Sequence, residues 1–209
     1  MTQIFFTKCS EAIPYENKLL PLLSNSEREK LKKIKVDSRR ITSLVSCLIL
    51  LRESSLPFST EIGYGEHGRP FLNGVHFSIS HTGDIAVIAL SDFPVGIDIE
   101  SGEDKSGKIA ERFFDESEKE YLRQCPSGFR RVWTLKEAVS KLFGKGISMD
   151  FPSFCVYPFD TEHYIEGKYV TFCCKKIYDL PVSVASFQND ENYTFTEINL
   201  EDYIKEILI

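Results

Sequence analysis

Val95-Gly96-Ile97-Asp98-Ile99-Glu100 is the stretch on which the reading of this chain turns. In an extended strand, side chains alternate, so Ile97 and Ile99 face one side while Asp98 and Glu100 face the other. Two carboxylates at i and i+2, just beyond a glycine that permits close backbone approach, present hard oxygen ligands of the kind Mg²⁺ takes. The same alternation also describes an edge strand with a solvated acidic face. The stretch stands alone as a strand, so its meaning depends on what surrounds it.

Upstream lie a short apolar segment from Ile4 to Thr7 and a polar helical stretch from Ser26 to Lys35. A helix is predicted from Asp37 to Glu53, where Ile41, Leu44, Val45, Leu48 and Leu51 fall near helical spacing, with Asp37 or Ser38 as its cap. The Gly and Pro content of Gly63 to Pro70 marks a loop. Strands follow at His76 to Ser80 and Ile85 to Leu90, and then the opening stretch itself.

Downstream, helices are predicted at Lys108 to Phe114, Ser117 to Gln124 and Ser127 to Phe143, the last closed by Gly144. Strands are expected at Phe154 to Tyr157, in a hairpin from His163 to Lys175, and at Pro181 to Phe187 and Tyr193 to Asn199. A short helix from Glu201 to Leu208 closes the chain. Helices then strands, twice, make two α+β halves, residues 1–101 and 102–209.

The chain has 209 residues, enough to bury a sizeable core, and a net charge of −6. That charge argues against a protein that coats nucleic acid, and no apolar run reaches the roughly 18 residues of a membrane span. The N-terminus lacks the pattern of a signal peptide, and the six cysteines show no Cys-x-x-Cys pair and no zinc-ligand spacing. A cytoplasmic protein with reduced thiols is the expectation.

A second informative stretch is Trp133-Thr134-Leu135-Lys136-Glu137-Ala138-Val139-Ser140-Lys141. Val132, Leu135, Val139 and Leu142 make one apolar helix face, and Glu137 and Lys141, at i and i+4, share another with Lys136 beside them. This is either a surface ion pair or, with Asp98 and Glu100 nearby, a site for a metal–pyrophosphate. Ser80 and His81 sit where a strand gives way to the Gly83 turn, and Arg69 lies in the restricted Gly68-Arg69-Pro70 loop, suited to phosphate contacts or simply solvated. From Arg28 to Arg40 there are seven cations and two carboxylates. So local a basic excess fits a polyanionic ligand or acidic partner as well as a solvated helix face.

Taken together, these segments resemble the 4′-phosphopantetheinyl transferases, in particular the long, monomeric type that activates surfactin-type peptide synthetases. Val95-Gly96-Ile97-Asp98 and the Trp133–Lys141 stretch are similar to the family's two signatures. Ser78-Ile79-Ser80-His81-Thr82-Gly83, Gly68-Arg69-Pro70, Arg112-Phe113-Phe114 and Gly144-Lys145-Gly146 are similar to further family segments. The resemblance covers about residues 24 to 155.

The resemblance implies a pseudo-dimer of two similar α+β halves with the active site between them. The implied reaction moves the 4′-phosphopantetheine of coenzyme A to a serine of an apo acyl or peptidyl carrier protein, releasing adenosine 3′,5′-bisphosphate. It further implies that Asp98, Glu100 and Glu137 hold Mg²⁺. Glu137 would act as base, and Lys136 and Lys141 would stand by the phosphates. Arg40, Arg69, Ser80, His81 and Lys30 would bind coenzyme A. Lys30's usual basic companion is Glu27 here. Glu118 aligns with a family acid, but Asp115-Glu116-Ser117-Glu118 is also a capping box. Phe113 to Gln124 would contribute to carrier docking. Two other readings are a non-catalytic coenzyme A or carrier-binding protein and another Mg²⁺-dependent phosphoryl or nucleotidyl transferase.

Overall fold

The computed structural model describes residues 1–102, 106–187 and 192–208, which form an α+β fold. In chain order the first elements are β1 (Thr2–Lys8), α1 (Glu16–Leu19), α2 (Asn25–Lys32), α3 (Asp37–Glu53), β2 (Gly63–Tyr64), β3 (Pro70–Phe71), β4 (His76–Thr82) and β5 (Ile85–Ser91). There follow β6 (Val95–Ile99), α4 (Ser106–Phe113), α5 (Glu116–Gln124), α6 (Phe129–Phe143), β7 (His163–Ile165), β8 (Lys168–Ile177) and β9 (Leu180–Ser186). The last are β10 (Tyr193–Glu197) and α7 (Leu200–Ile207).

Packing divides the chain into a first unit, Met1–Asp92 with Asn192–Ile209, and a second, Phe93–Glu191. This is a different division from a single break near residue 101. β6 belongs to the second unit, and the last strand and helix of the chain belong to the first. The cause is the open edge of β1. β10 pairs with it in parallel, Ile198 N donates to Phe6 O at 2.9 Å, and Thr7 Oγ1 donates to Ile198 O at 2.9 Å. Leu200, Tyr203 and Ile204 of α7 then bury in the first unit's core.

The first unit's main sheet has the order β10-β1-β5-β4, with α3 packed on β5. The apolar spacing predicted this helix with its observed bounds, but not its surroundings. From Ile41 to Leu51 only Ser43 escapes full burial. The polar residues inside this run turn their hydroxyls back onto the helix: Thr42 donates to Ser38 O at 2.6 Å and Ser46 to Thr42 O at 2.7 Å. Val36 occupies the N-cap without a side-chain bond, so neither Asp37 nor Ser38 caps it. The expected loop at Gly63–Pro70 is a small hairpin, β2 against β3.

The second unit's sheet is antiparallel in the order β6-β9-β8-β7, and α6 lies across β6 and β9. Glu166 and Gly167, at φ 49° and 81°, make the two-residue turn between β7 and β8. The strand expected at Phe154 to Tyr157 does not form. Its backbone groups find side chains instead: Val156 N donates to Glu118 Oε1 at 2.8 Å, and Phe154 O accepts from Lys136 Nζ at 2.6 Å. All six cysteines are thiols. Among the described residues, no helix is long and apolar enough to cross a membrane.

Candidate active site

Gly96 sets the geometry of the site. A Cβ built there would lie 1.9 Å from Ala138 O and 2.6 Å from Leu142 N, both backbone atoms of α6. Only glycine lets β6 come this close to the helix. Asp98, two residues on, faces the same way, and the close approach brings it to the Glu137–Lys141 face of α6. Lys141 Nζ donates to Asp98 Oδ1 at 2.7 Å and to Ile97 O at 3.0 Å. The helix pair Glu137 and Lys141 is therefore not a surface ion pair. Its lysine is tied to the strand.

Asp98 is buried, only 7% exposed, which excludes a solvated acidic face for β6. Glu137 is half-buried, and its carboxyl is pushed up to about 7. Burial is the largest cause, followed by the charge of Asp98. Lys141 opposes the rise and Glu100 adds to it. Glu137 therefore feels both of the other carboxylates. Glu100, just past the strand, has its Oε1 accepting from Ser101 N at 2.9 Å and Gly102 N at 3.1 Å. A half-buried carboxyl titrating near neutrality is suited to taking a proton.

Lys136 stands elsewhere, which corrects its expected place beside the phosphates. It is fully buried, and its Nζ donates to Phe151 O at 2.8 Å and Phe154 O at 2.6 Å and pairs with Glu118 Oε2 at 2.9 Å. Burial pulls its pKa down while the Glu118 charge opposes that shift. Glu118 is equally buried. It closes the capping box of α5 by accepting from Asp115 N at 2.8 Å, and its other oxygen holds Val156 N. Lys136 and Glu118 are thus a structural pair that fastens the segment 151–156 to α5 and α6. Neighbouring letters in the Lys136-Glu137 dipeptide face opposite fates because successive helix residues point about 100° apart.

The residues expected to bind coenzyme A lie in the first unit. Lys30 Nζ rests 3.3 Å from the centroid of the Tyr64 ring. The Tyr64 hydroxyl donates to Glu27 at 2.9 and 3.1 Å to its two oxygens, and Glu27 is buried, 2% exposed, with the Cys47 thiol also donating to it at 3.7 Å. Glu27 is therefore a tether for Tyr64 and not an exposed charge beside Lys30. The Ser24–Glu27 spacing signals a helix start, and Ser24 Oγ does accept from Glu27 N. Nothing local signals Tyr64, 37 residues further on. Arg69 is half-buried on the same hairpin, its pKa lowered by desolvation, and Gly65 N donates to its carbonyl at 2.8 Å. Arg40 is held by carboxylates: its Nε donates to Glu16 at 2.5 Å and its Nη1 to Asp37 at 2.7 Å, which keeps its charge firmly in place. β4 runs two residues past the expected end at Ser80. Ser80 is buried and His81 exposed.

The donor set Asp98, Glu100 and Glu137 fits Mg²⁺ in its chemistry, being all hard carboxylate oxygen, with repulsion at Glu137 that a cation would relieve. Among the described residues, however, no three His, Cys, Asp or Glu side chains are gathered closely enough to make a ready metal site.

Comparison with known proteins places this arrangement among relatives. The model of the 4′-phosphopantetheinyl transferase superfamily matches residues 94–196. The 4′-phosphopantetheinyl transferase Sfp of Bacillus subtilis (strain 168) is 33% identical over 153 residues, 66% of this chain and 68% of that protein. The 4′-phosphopantetheinyl transferase gsp of Aneurinibacillus migulanus is 40% identical over 106 residues, 48% of this chain and 45% of that protein. The 4′-phosphopantetheinyl transferase psf-1 of Bacillus pumilus is 35% identical over 153 residues, 65% of this chain and 64% of that protein.

Proposed function

Because the chain belongs to the 4′-phosphopantetheinyl transferase superfamily, we propose that it moves the 4′-phosphopantetheine of coenzyme A onto a serine hydroxyl of an apo acyl or peptidyl carrier protein. The observation that carries the reading is the half-buried Glu137, titrating near 7 beside Asp98 with Lys141 fixed to the same strand. In the reaction the serine oxygen forms a bond to the phosphorus that bears pantetheine. The bond from that phosphorus to the bridging oxygen breaks, and adenosine 3′,5′-bisphosphate leaves with the electron pair. Glu137 takes the serine proton, a role for which a carboxylate beside the phosphate-facing strand is suited. Lys141 holds Asp98 in place and sets a positive charge at the strand carrying the acids, where charge developing on the 5′-phosphate of the leaving nucleotide needs compensation.

Asp98, Glu100 and Glu137 are the residues that would hold Mg²⁺, which would neutralise charge building on the 5′-phosphate of the leaving nucleotide. Coenzyme A contacts are assigned to Lys30, Arg69, Ser80 and His81, with Arg40 alongside, by the same resemblance, which also implies a monomer. The donors at Arg69 and Lys30 suit phosphate oxygens. Lys136 has no part in the chemistry in this reading.

Mass spectrometry of an apo carrier protein incubated with this protein, coenzyme A and Mg²⁺ tests it. The expected product is a single phosphopantetheine on serine, lost with EDTA and lost in Glu137→Ala. No adduct on a panel of acyl and peptidyl carriers, from protein that still binds coenzyme A, would instead mark a binding protein.

A further inference from the structure

Cations gather at the opposite end of α6 from Lys141. A groove of about 580 Å³ in the second unit runs from the first turn of α6 to the end of β8 and the start of β9. Arg130 and Arg131 line it from the helix, and Lys175 and Lys176 from β8, against one carboxylate, Asp179. None of Asp98, Glu100, Glu137 or Lys141 lines it. On a chain of net charge −6, four cations and one carboxylate round a single cavity are a local concentration of positive charge.

Arg131 adds a more specific observation. Its guanidinium carbon lies 3.9 Å over the Phe159 ring, and its Nη2 is 3.9 Å from Asp160 Oδ1, too far for a hydrogen bond. Its Nε is buried with no hydrogen-bond partner among the described residues, while the side chain as a whole is 40% exposed and reaches the Cys174 thiol. An arginine carries five N–H donors, more than the Cys174 thiol can occupy, so Arg131 brings donors to the cationic groove that it lines. The first turn of α6 contains no acidic residue, and Gly128 at its N-cap offers no side-chain acceptor, so the positive helix end reinforces the same field.

We propose that this groove binds a phosphate-bearing small molecule of about nucleotide size, at a site separate from the carboxylate centre. Two guanidinium forks suit the several oxygens of a phosphate, and the two lysines supply point charge. The volume lies in the range of small-molecule sites and is too small to seat a folded partner. The phosphate could belong to a nucleotide such as adenosine 3′,5′-bisphosphate or be inorganic, and the two sources are separable by titration.

The test uses the full chain labelled with ¹⁵N-arginine. The Arg131 Nε–H signal, assigned through Arg131→Lys, should move saturably as pyrophosphate is added. The double variant Arg130→Ala with Lys176→Ala should weaken that binding by about tenfold or more while keeping the wild-type melting profile. Saturation at lower adenosine 3′,5′-bisphosphate than inorganic phosphate identifies a nucleotide site, and the reverse identifies a phosphate site. Sodium chloride reproducing the shift at equal ionic strength, or unchanged affinity in the double variant, would overturn the proposal. Glu137→Ala should leave the titration intact, so loss of transfer and loss of this site are read separately.

Discussion

Glu137 shows how a single residue acquires its chemistry. A glutamate on an exposed helix face titrates near 4.5, and here burial and the Asp98 and Glu100 charges push it up to about 7. Because the folded value lies above the unfolded one, the folded chain binds the proton more tightly. Stability from this group is therefore full below about 4.5 and is lost as pH rises through about 7. Glu137→Gln mimics the neutral form. Urea melts of variant and wild type should coincide at low pH, and the variant should be more stable by up to roughly 3 kcal/mol at pH 8. Equal stability at pH 8 would show that neither burial nor the neighbouring acids penalise the charged carboxylate.

Tyr64 makes a second test at this scale. Its hydroxyl is a donor to the buried Glu27, and its ring carries Lys30. Tyr64→Phe should cost about 1–3 kcal/mol by leaving that carboxylate short of a donor. Adding Glu27→Met, which removes the stranded acceptor as well, should recover much of it in denaturant melts. The sequence flagged Glu27 only as an odd neighbour of Lys30. Its role rests on a residue from a hairpin that reads as a loop.

At the scale of elements, α6 divides its work between faces. Val132, Leu135, Val139 and Leu142 are buried in the second unit's core, as their spacing predicts. Lys136 is buried with them, against the usual behaviour of lysine, because two carbonyls and Glu118 satisfy its ammonium. Lys136→Met should therefore destabilise the fold by about 3–5 kcal/mol, since Glu118 is left as an unpaired buried charge. Protein of this variant that remains folded at low temperature should still modify a carrier. Lys141→Met should also lose stability, because Asp98 is buried and loses its cation, but protein of this variant that remains folded should transfer poorly. A Lys136→Met protein as stable as wild type would return that residue to the chemistry. Periodicity cannot foresee this burial, because the carbonyls that permit it belong to residues 15 and 18 positions away. For the same reason residues 154–157 read as a strand from their β-forming residues, while their backbone groups are taken by side chains of α5 and α6.

At the scale of the molecule, the first unit is closed by the chain's last residues. β10 pairs with β1, and α7 buries Leu200, Tyr203 and Ile204. Removing residues 192–209 should strip protection from the β1 amides in hydrogen exchange. β4–β5 should also loosen, since the core beneath them loses its cover. The basic run from Arg28 to Arg40 looks different at this scale too. Arg28, Lys32 and Arg40 bond to Asn25, Glu29, and Glu16 with Asp37, so part of that excess is answered within the unit.

By itself the sequence determined the α+β class and nearly all the elements, and it pointed to Asp98, Glu100 and Glu137, because helical spacing, strand alternation and the two motifs are short-range signals. It also permitted a close approach at Gly96, since no other residue lacks a Cβ, and the packed structure uses it. Only the tertiary structure decided that β10 and α7 join the first unit, that Lys136 serves the core while Lys141 serves Asp98, and that Glu137 titrates near 7. Each of those depends on burial and on partners distant in the chain, and desolvation and pairing are properties of the packed molecule that no local pattern encodes.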